Sequence, residues 1–171
     1  PIINSESYSD AFTNETGVDG SIRFLKNICG LWLIQECKRE WSNQGTDIAY
    51  KEMASLASTI EPFRSLINPD NAFFTDGGDM AKKIQQYCRD TKQEVPNSKG
   101  EIIRCIYESL ALRYAMVWDR LIQYTMDTPE TLHVVGGGCQ DSLLNQFTAD
   151  ALGVTVTAGP IEAPGLGNII V

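Results

Sequence analysis

A chain of 171 residues, 43% of them hydrophobic, is long enough for one domain with a buried core, or for one lobe of something larger. Its formal charge of −8 argues against a nucleic-acid or anionic-membrane surface, and its apolar runs are far too short to span a bilayer. No signal peptide is seen, the first residue is Pro1 rather than methionine, and Val171 closes an apolar run, so a fragment is expected.

Residues 1–19 read as irregular or extended, punctuated by the turn formers Asn4, Ser5, Ser7, Ser9, Asn14 and Gly17, with a short strand at 11–14. Residues 21–41 predict a long helix. Ile22, Leu25, Cys29, Trp32 and Leu33 make an apolar stripe at i, i+3, i+4 spacing, and residues 28–34 are apolar nearly all round, so this helix is expected to be central. Asn27 and Gln35 interrupt it. On one helix they would lie within about 80° of each other and roughly 12 Å apart along the axis. Gly30, between them, would cost about 1 kcal/mol relative to alanine. Either a ligand approaches here, or the two side chains satisfy loop backbone while Gly30 admits a crossing helix.

Asn43, Gln44 and Gly45 end this element, and residues 47–58 predict a shorter helix. Pro62 and Pro69 mark a loop over 61–76, and a third helix over 78–90 carries Met80, Ile84, Tyr87 and Cys88 along one face. After Pro96, Ser98-Lys99-Gly100-Glu101 has the form of a capping box, which satisfies two orphan helix N–H groups. It opens a long helix to about Tyr124, with Ile102, Ile106, Leu110, Tyr114, Val117 and Leu121 on its buried face.

The most informative stretch follows. Residues 132–135 read as a short buried strand, Gly136, Gly137 and Gly138 break it, and Leu143, Leu144, Phe147 and Leu152 recur at helical spacing. Such a strand–glycine–helix unit presents bare N–H groups beside a helix N-terminus, a geometry that suits a phosphate. It is neither G-x-G-x-x-G nor a P-loop, so a ligand-free tight turn fits the same residues. Residues 154–157 form the next strand by β-branched enrichment, predicting two parallel strands joined by a helical crossover. Pro164, Gly165 and Gly167 predict a second glycine turn, so that two such turns share the carboxyl rim of the sheet, where ligands of open α/β sheets bind.

The five cysteines, Cys29, Cys37, Cys88, Cys105 and Cys139, form no C-x-x-C, and His133 is the single histidine. Zinc is therefore not expected, and a reduced, cytoplasmic protein is. Cys139 stands beside the glycines at a predicted helix N-terminus, where a small filler residue is the expected role.

Four segments carry a resemblance: TNETG at 13–17, GSIRFLKNICGLWLIQE at 20–36, HVVGGGCQDSLLNQF at 133–147 and AGPIEAPGLGN at 158–168. Together they resemble the C-terminal domain of the FGGY carbohydrate kinases, and within them the rhamnulokinase group. The R-x-L-K-N-x-x-G-L-W-L-x-Q run is fairly specific to that group, whereas the triple glycine is shared more broadly. The resemblance implies an α/β, actin-like ATPase (ribonuclease H-like) nucleotide-binding domain, helix-rich, with a partial sheet. It implies ATP and L-rhamnulose as substrates, Mg²⁺ as cofactor, L-rhamnulose 1-phosphate as product, and the N-terminal domain of the same enzyme as partner. By position, Asn27 matches a sugar-contacting asparagine, Gln35 a nucleotide-contacting glutamine, and Gly137, within Gly136–Gly138, a glycine whose backbone meets ATP. Cys88 and Cys105 match a pair that can bridge two helices in the family.

The family's general base is an aspartate upstream of the matching residues, so no catalytic base is assigned in this sequence and the fragment alone is expected to be inactive. Ala163-Pro164-Gly165 departs from the family pattern of small residues with Thr or Ser. The alternatives are another FGGY kinase, for xylulose or gluconate, and a regulatory domain that kept the fold without the chemistry.

Overall fold

The computed structural model describes residues 1–170, and all of their side chains except those at 164, 168 and 170. A long helix, α5 (Lys99–Thr125), is its axis. Residues 102, 103, 105–111 of α5 are all buried. Ile102, Ile103, Cys105, Ile106, Tyr107 and Leu110 among them meet Leu33, Ile34 and Cys37 of α2 (Trp32–Asn43), Met53 and Ala57 of α3 (Tyr50–Ser58), and Met80, Ile84 and Cys88 of α4 (Met80–Asp90) in one apolar cluster. The Ser98–Glu101 capping box opens α5 as the sequence predicts: Ser98 Oγ accepts from the Glu101 N–H at 3.2 Å, and Glu101 accepts from the N–H groups of Ser98 and Asn97, both at 2.8 Å.

The other end of α5 carries an antiparallel hairpin of β1 (Phe12–Thr16) and β2 (Ile22–Lys26), paired from Phe12↔Lys26 to Thr16↔Ile22. Phe12 and Phe24 stack with centroids 4.9 Å apart, and Tyr124 of α5 meets Phe12 edge-on at 5.3 Å. This corrects the helix expected over 21–41. Its first quarter is a strand, residues 27–31 form a turn, and the helix starts at Trp32. The apolar residues of 22–25 fit either period locally, and pairing with β1 over the ring of Tyr124 decides for the strand. Residues 1–19 are also more ordered than their composition implies. A short helix, α1 (Ser5–Ser9), is capped by Asn4, whose Oδ1 accepts from the Ser7 N–H at 2.7 Å.

After α5, β3 (Thr131–Val134) runs parallel to β4 (Thr155–Ala158), in register from Thr131↔Thr155 to Val134↔Ala158, with α6 (Ser142–Leu152) as the crossover. This is the predicted unit. The second glycine turn is not found. Residues 163–170 are a helix, α7 (Ala163–Ile170). Pro164 stands in its first turn, where a missing N–H removes no intrahelical bond. The rim of β3 and β4 therefore holds one glycine turn, followed after β4 by a helix start.

Candidate functional site

The chain leaves β3 through Val135 into Gly136, whose φ of +80° favours glycine. A single 3₁₀ turn, Gly137–Gln140, follows, and then Asp141 caps α6. The turn is tied down at its ends. The Gly136 N–H donates to Pro160 O at 3.1 Å and the Gly159 N–H to Val134 O at 2.8 Å, which fixes the glycines against the end of β4. The Asp141 N–H donates back to Gly138 O at 3.2 Å. Asn145 of α6 donates its amide to Cys139 O at 2.8 Å. Cys139 itself is buried and packs beside the glycines.

Between these anchors, the first N–H groups of the turn, at Gly137 and Gly138, have no partner within the turn by helix geometry. A Cβ built on Gly137 would meet nothing within 4 Å, and one on Gly138 would meet only Leu31 Cδ1, at 3.5 Å. The turn is thus open on the Cβ side of these two residues. It faces a cavity of about 1080 Å³. Leu31 and Gln35 form one wall, Tyr50, Lys51, Ser55 and Ser58 of α3 a second, and the start of α6 a third. That volume is at the upper end for small-molecule sites, and its position at the carboxyl end of β3 is where open α/β sheets take ligands. The positive end of the α6 dipole favours an anion there.

Gln35 lies in the first turn of α2, exposed, and lines this cavity together with Gly137 and Gly138. It also lines a neighbouring cavity of about 530 Å³, which reaches Gly30, Tyr114 and the inner side of β3. Gln35 therefore shares one cavity with Gly137 and Gly138, while Gly136 shapes the turn without lining that cavity. Asn27 is placed differently. It is exposed in the turn between β2 and α2, on no helix, and lines neither cavity. The two-turn helical spacing expected between Asn27 and Gln35 does not exist, and the helix-interior cost expected at Gly30 does not arise. Pairing of β2 with β1 removed both.

Asn27's turn is nonetheless held. Asp70 accepts from the Cys29 N–H at 2.8 Å through Oδ1 and from Arg113 Nε of α5 at 2.7 Å through Oδ2. Tyr114, next along α5, has its phenol pushed up to about 12, chiefly by burial and then by the nearby Cys29 and Asp70. Neither Asp70 nor Arg113 carried a signal in the sequence, because the contact spans 43 residues between a loop and a helix. Lys51 and Ser55 were missed for a similar reason: only the packing of α3 against α5 and α6 turns them toward the glycines.

The thiols of Cys88 on α4 and Cys105 on α5 are free, and both are buried. The neighbouring Cys88 sulfur, and then burial, push the Cys105 thiol well up, while the proximity of Cys105 lowers Cys88. Among the described residues, no group of three or more His, Cys, Asp or Glu side chains is gathered for a metal ion, and no helix is long and apolar enough to cross a membrane.

Comparison with known proteins agrees with this architecture. Residues 1–171 match the model of the FGGY family of carbohydrate kinases, C-terminal domain. The chain belongs to that family, as a C-terminal domain of the actin-like ATPase fold. Three curated relatives bear the name rhamnulokinase. That of Bacteroides thetaiotaomicron is 50% identical over 171 residues, covering 100% of this chain and 34% of its own length. That of Enterococcus faecalis is 46% identical over 170 residues, covering 98% of this chain and 34% of its own length. That of Bacillus subtilis is 42% identical over 170 residues, covering 99% and 34%. The chain thus spans about a third of the length of the curated relatives it matches, and it corresponds to their C-terminal region.

Proposed function

We propose that this chain is the nucleotide-binding domain of a kinase that transfers the γ-phosphoryl group of ATP to L-rhamnulose, giving L-rhamnulose 1-phosphate. The observation that carries the reading is the cavity in which Gln35, the open faces of Gly137 and Gly138 and the N-terminus of α6 meet. The names of the three relatives support the choice of sugar. Phosphoryl transfer asks a protein mainly to position groups and to stabilise charge. The glycine N–H groups and the α6 dipole do this for a polyphosphate, and Gln35 offers a donor and an acceptor beside it. Asn27, exposed in its turn, is assigned to the sugar because its position matches the family's sugar-contacting asparagine. The general base is expected in that other part of the enzyme, and no residue here is assigned to it.

Mg²⁺ fits the donor set in one way only. Without a cage of carboxylates among the described residues, the ion would ride on the nucleotide phosphates with at most one or two protein ligands, as Mg²⁺ commonly does. When bound, it would neutralise charge on the phosphates. The expected compartment is the cytoplasm, consistent with five free cysteines.

A substrate panel with the full-length kinase tests the reading. Specificity constants for L-rhamnulose, xylulose and gluconate should favour L-rhamnulose by orders of magnitude. Comparable or better turnover of xylulose or gluconate would transfer the assignment to another FGGY activity. No phosphoryl transfer to any sugar, from an enzyme that binds ATP, would favour a regulatory domain.

A further inference from the structure

Tyr107 is among the largest fully buried side chains of the molecule. A phenylalanine would fill the same space in α5, so the hydroxyl needs its own account, since a buried Tyr O–H requires a partner. That partner is the carboxylate of Asp141, 34 residues further on, at the junction of the glycine turn and α6. Tyr107 Oη donates to Asp141 Oδ2, while Asp141 Oδ1 accepts from the Leu144 N–H at 3.1 Å. Both carboxylate oxygens are thereby engaged on the protein side. Asp141 nevertheless lines the large cavity, beside Gly137 and Gly138 of the turn. A carboxylate there is a liability for any anionic ligand, because like charges a few ångströms apart near a low-dielectric wall repel strongly.

We propose that Tyr107 is a positioning residue of the nucleotide site: its hydroxyl keeps the Asp141 carboxylate turned toward α5 and the α6 N-terminus, so that a polyphosphate meets the N–H groups of Gly137 and Gly138 instead of a facing negative charge. The inference rests on the nucleotide reading of the cavity given above. Burial, followed by the Asp141 hydrogen bond and charge, pushes the Tyr107 phenol up. The group therefore stays protonated, and a donor, at any working pH. The same bond ties the buried N-terminal half of α5 to the loop that would hold the phosphates.

The test uses the full-length kinase and four variants: Tyr107→Phe, Asp141→Asn, the double variant, and Gly137→Val. ATP and sugar KM and the melting temperature are measured for each. Tyr107→Phe should raise the KM for ATP about tenfold, the scale of one lost hydrogen bond to a charged group, with little effect on the KM for sugar. In the Asp141→Asn background, where the side chain can still cap α6 but carries no charge, the same change should alter the KM for ATP by no more than about twofold. A Tyr107→Phe enzyme that melts lower with an unchanged KM for ATP, while Gly137→Val raises it, overturns the inference and leaves the nucleotide reading standing. An equal rise in both backgrounds also overturns it, by making the effect one of packing rather than of charge. If neither Gly137→Val nor Tyr107→Phe moves the KM for ATP, the nucleotide reading falls and the inference with it.

Discussion

An added Cβ at Gly137 has open space around it, so a larger side chain there fills the cavity without disturbing the core. Gly137→Val is therefore expected to fold with an unchanged melting temperature and to raise the KM for ATP on the order of tenfold or more, because displacing a phosphate by about an ångström is costly. A rise confined to the KM for sugar would show that the turn serves the other substrate. Gln35 and Asn27 are both exposed, so removing either side chain leaves no buried polar group unpaired. Gln35→Ala should raise the KM for ATP by about 3- to 10-fold, the worth of one hydrogen bond, and Asn27→Ala should do the same for sugar. Steady-state kinetics with each substrate varied in turn separates the two. If both variants melted well below the parent and kept its kinetics per folded molecule, the two residues would be structural.

Among the elements, the turn before α2 and the start of α5 have the clearest energetic signatures. Asp70 holds the turn that carries Asn27 by joining the Cys29 N–H to Arg113 of α5. Asp70→Ala should loosen that turn and raise the KM for sugar more than that for ATP, measured on the full-length enzyme. An effect on ATP alone would separate the turn from the sugar. At α5, Ser98→Ala removes one half of the capping box and should destabilise the protein by about 1 kcal/mol, read from denaturant unfolding. The other half, Glu101, has its carboxyl held below the ordinary carboxylate range, first by the N–H groups of Ser98 and Asn97 and more weakly by Arg64. Because the folded-state pKa is the lower one, the charged cap contributes stability above the unfolded pKa. That contribution is lost as pH falls through the folded value. Glu101→Gln should therefore flatten the acid side of the stability–pH curve while leaving the region above pH 6 nearly parallel to the parent. An unchanged acid limb would mean that the carboxylate is no better bound when folded.

For the whole molecule, the decisive fact is that the chain covers 34% of the relatives it matches. A cavity lined by Gly137 and Gly138 would position a nucleotide under the proposed reading but would supply no base for a sugar hydroxyl. The purified 171-residue chain is accordingly expected to phosphorylate no L-rhamnulose in a coupled ADP-release assay. Turnover at a rate comparable to an intact kinase would show that the base lies within these residues after all.

Much of the fold was written locally. The Ser98–Glu101 cap, the helix it opens, and the β3–glycine–α6–β4 unit each follow from side chains within a few positions of one another, where propensity, capping and periodicity act. Gly136–Gly138 and Gln35 were legible for that reason, the glycines as a break in a strand and Gln35 as a polar residue in an apolar run. The failures around the site share one physical cause. Residues 22–25 fit a helix or a strand equally well, and only pairing with β1 over Tyr124 decided between them. That pairing carried Asn27 off the helix and away from Gln35. Asp70 with Arg113, and Tyr107 with Asp141, are hydrogen bonds across 43 and 34 residues. No local pattern encodes such contacts, because they exist only once α5 has packed and brought a loop and a helix start to its side. The sequence by itself determined the capped long helix, the strand–helix–strand unit and its glycine turn, through interactions between near neighbours. The tertiary structure alone decided which wall faces those glycines and what holds the charge of Asp141 aside, because both depend on groups that meet only after the core has closed.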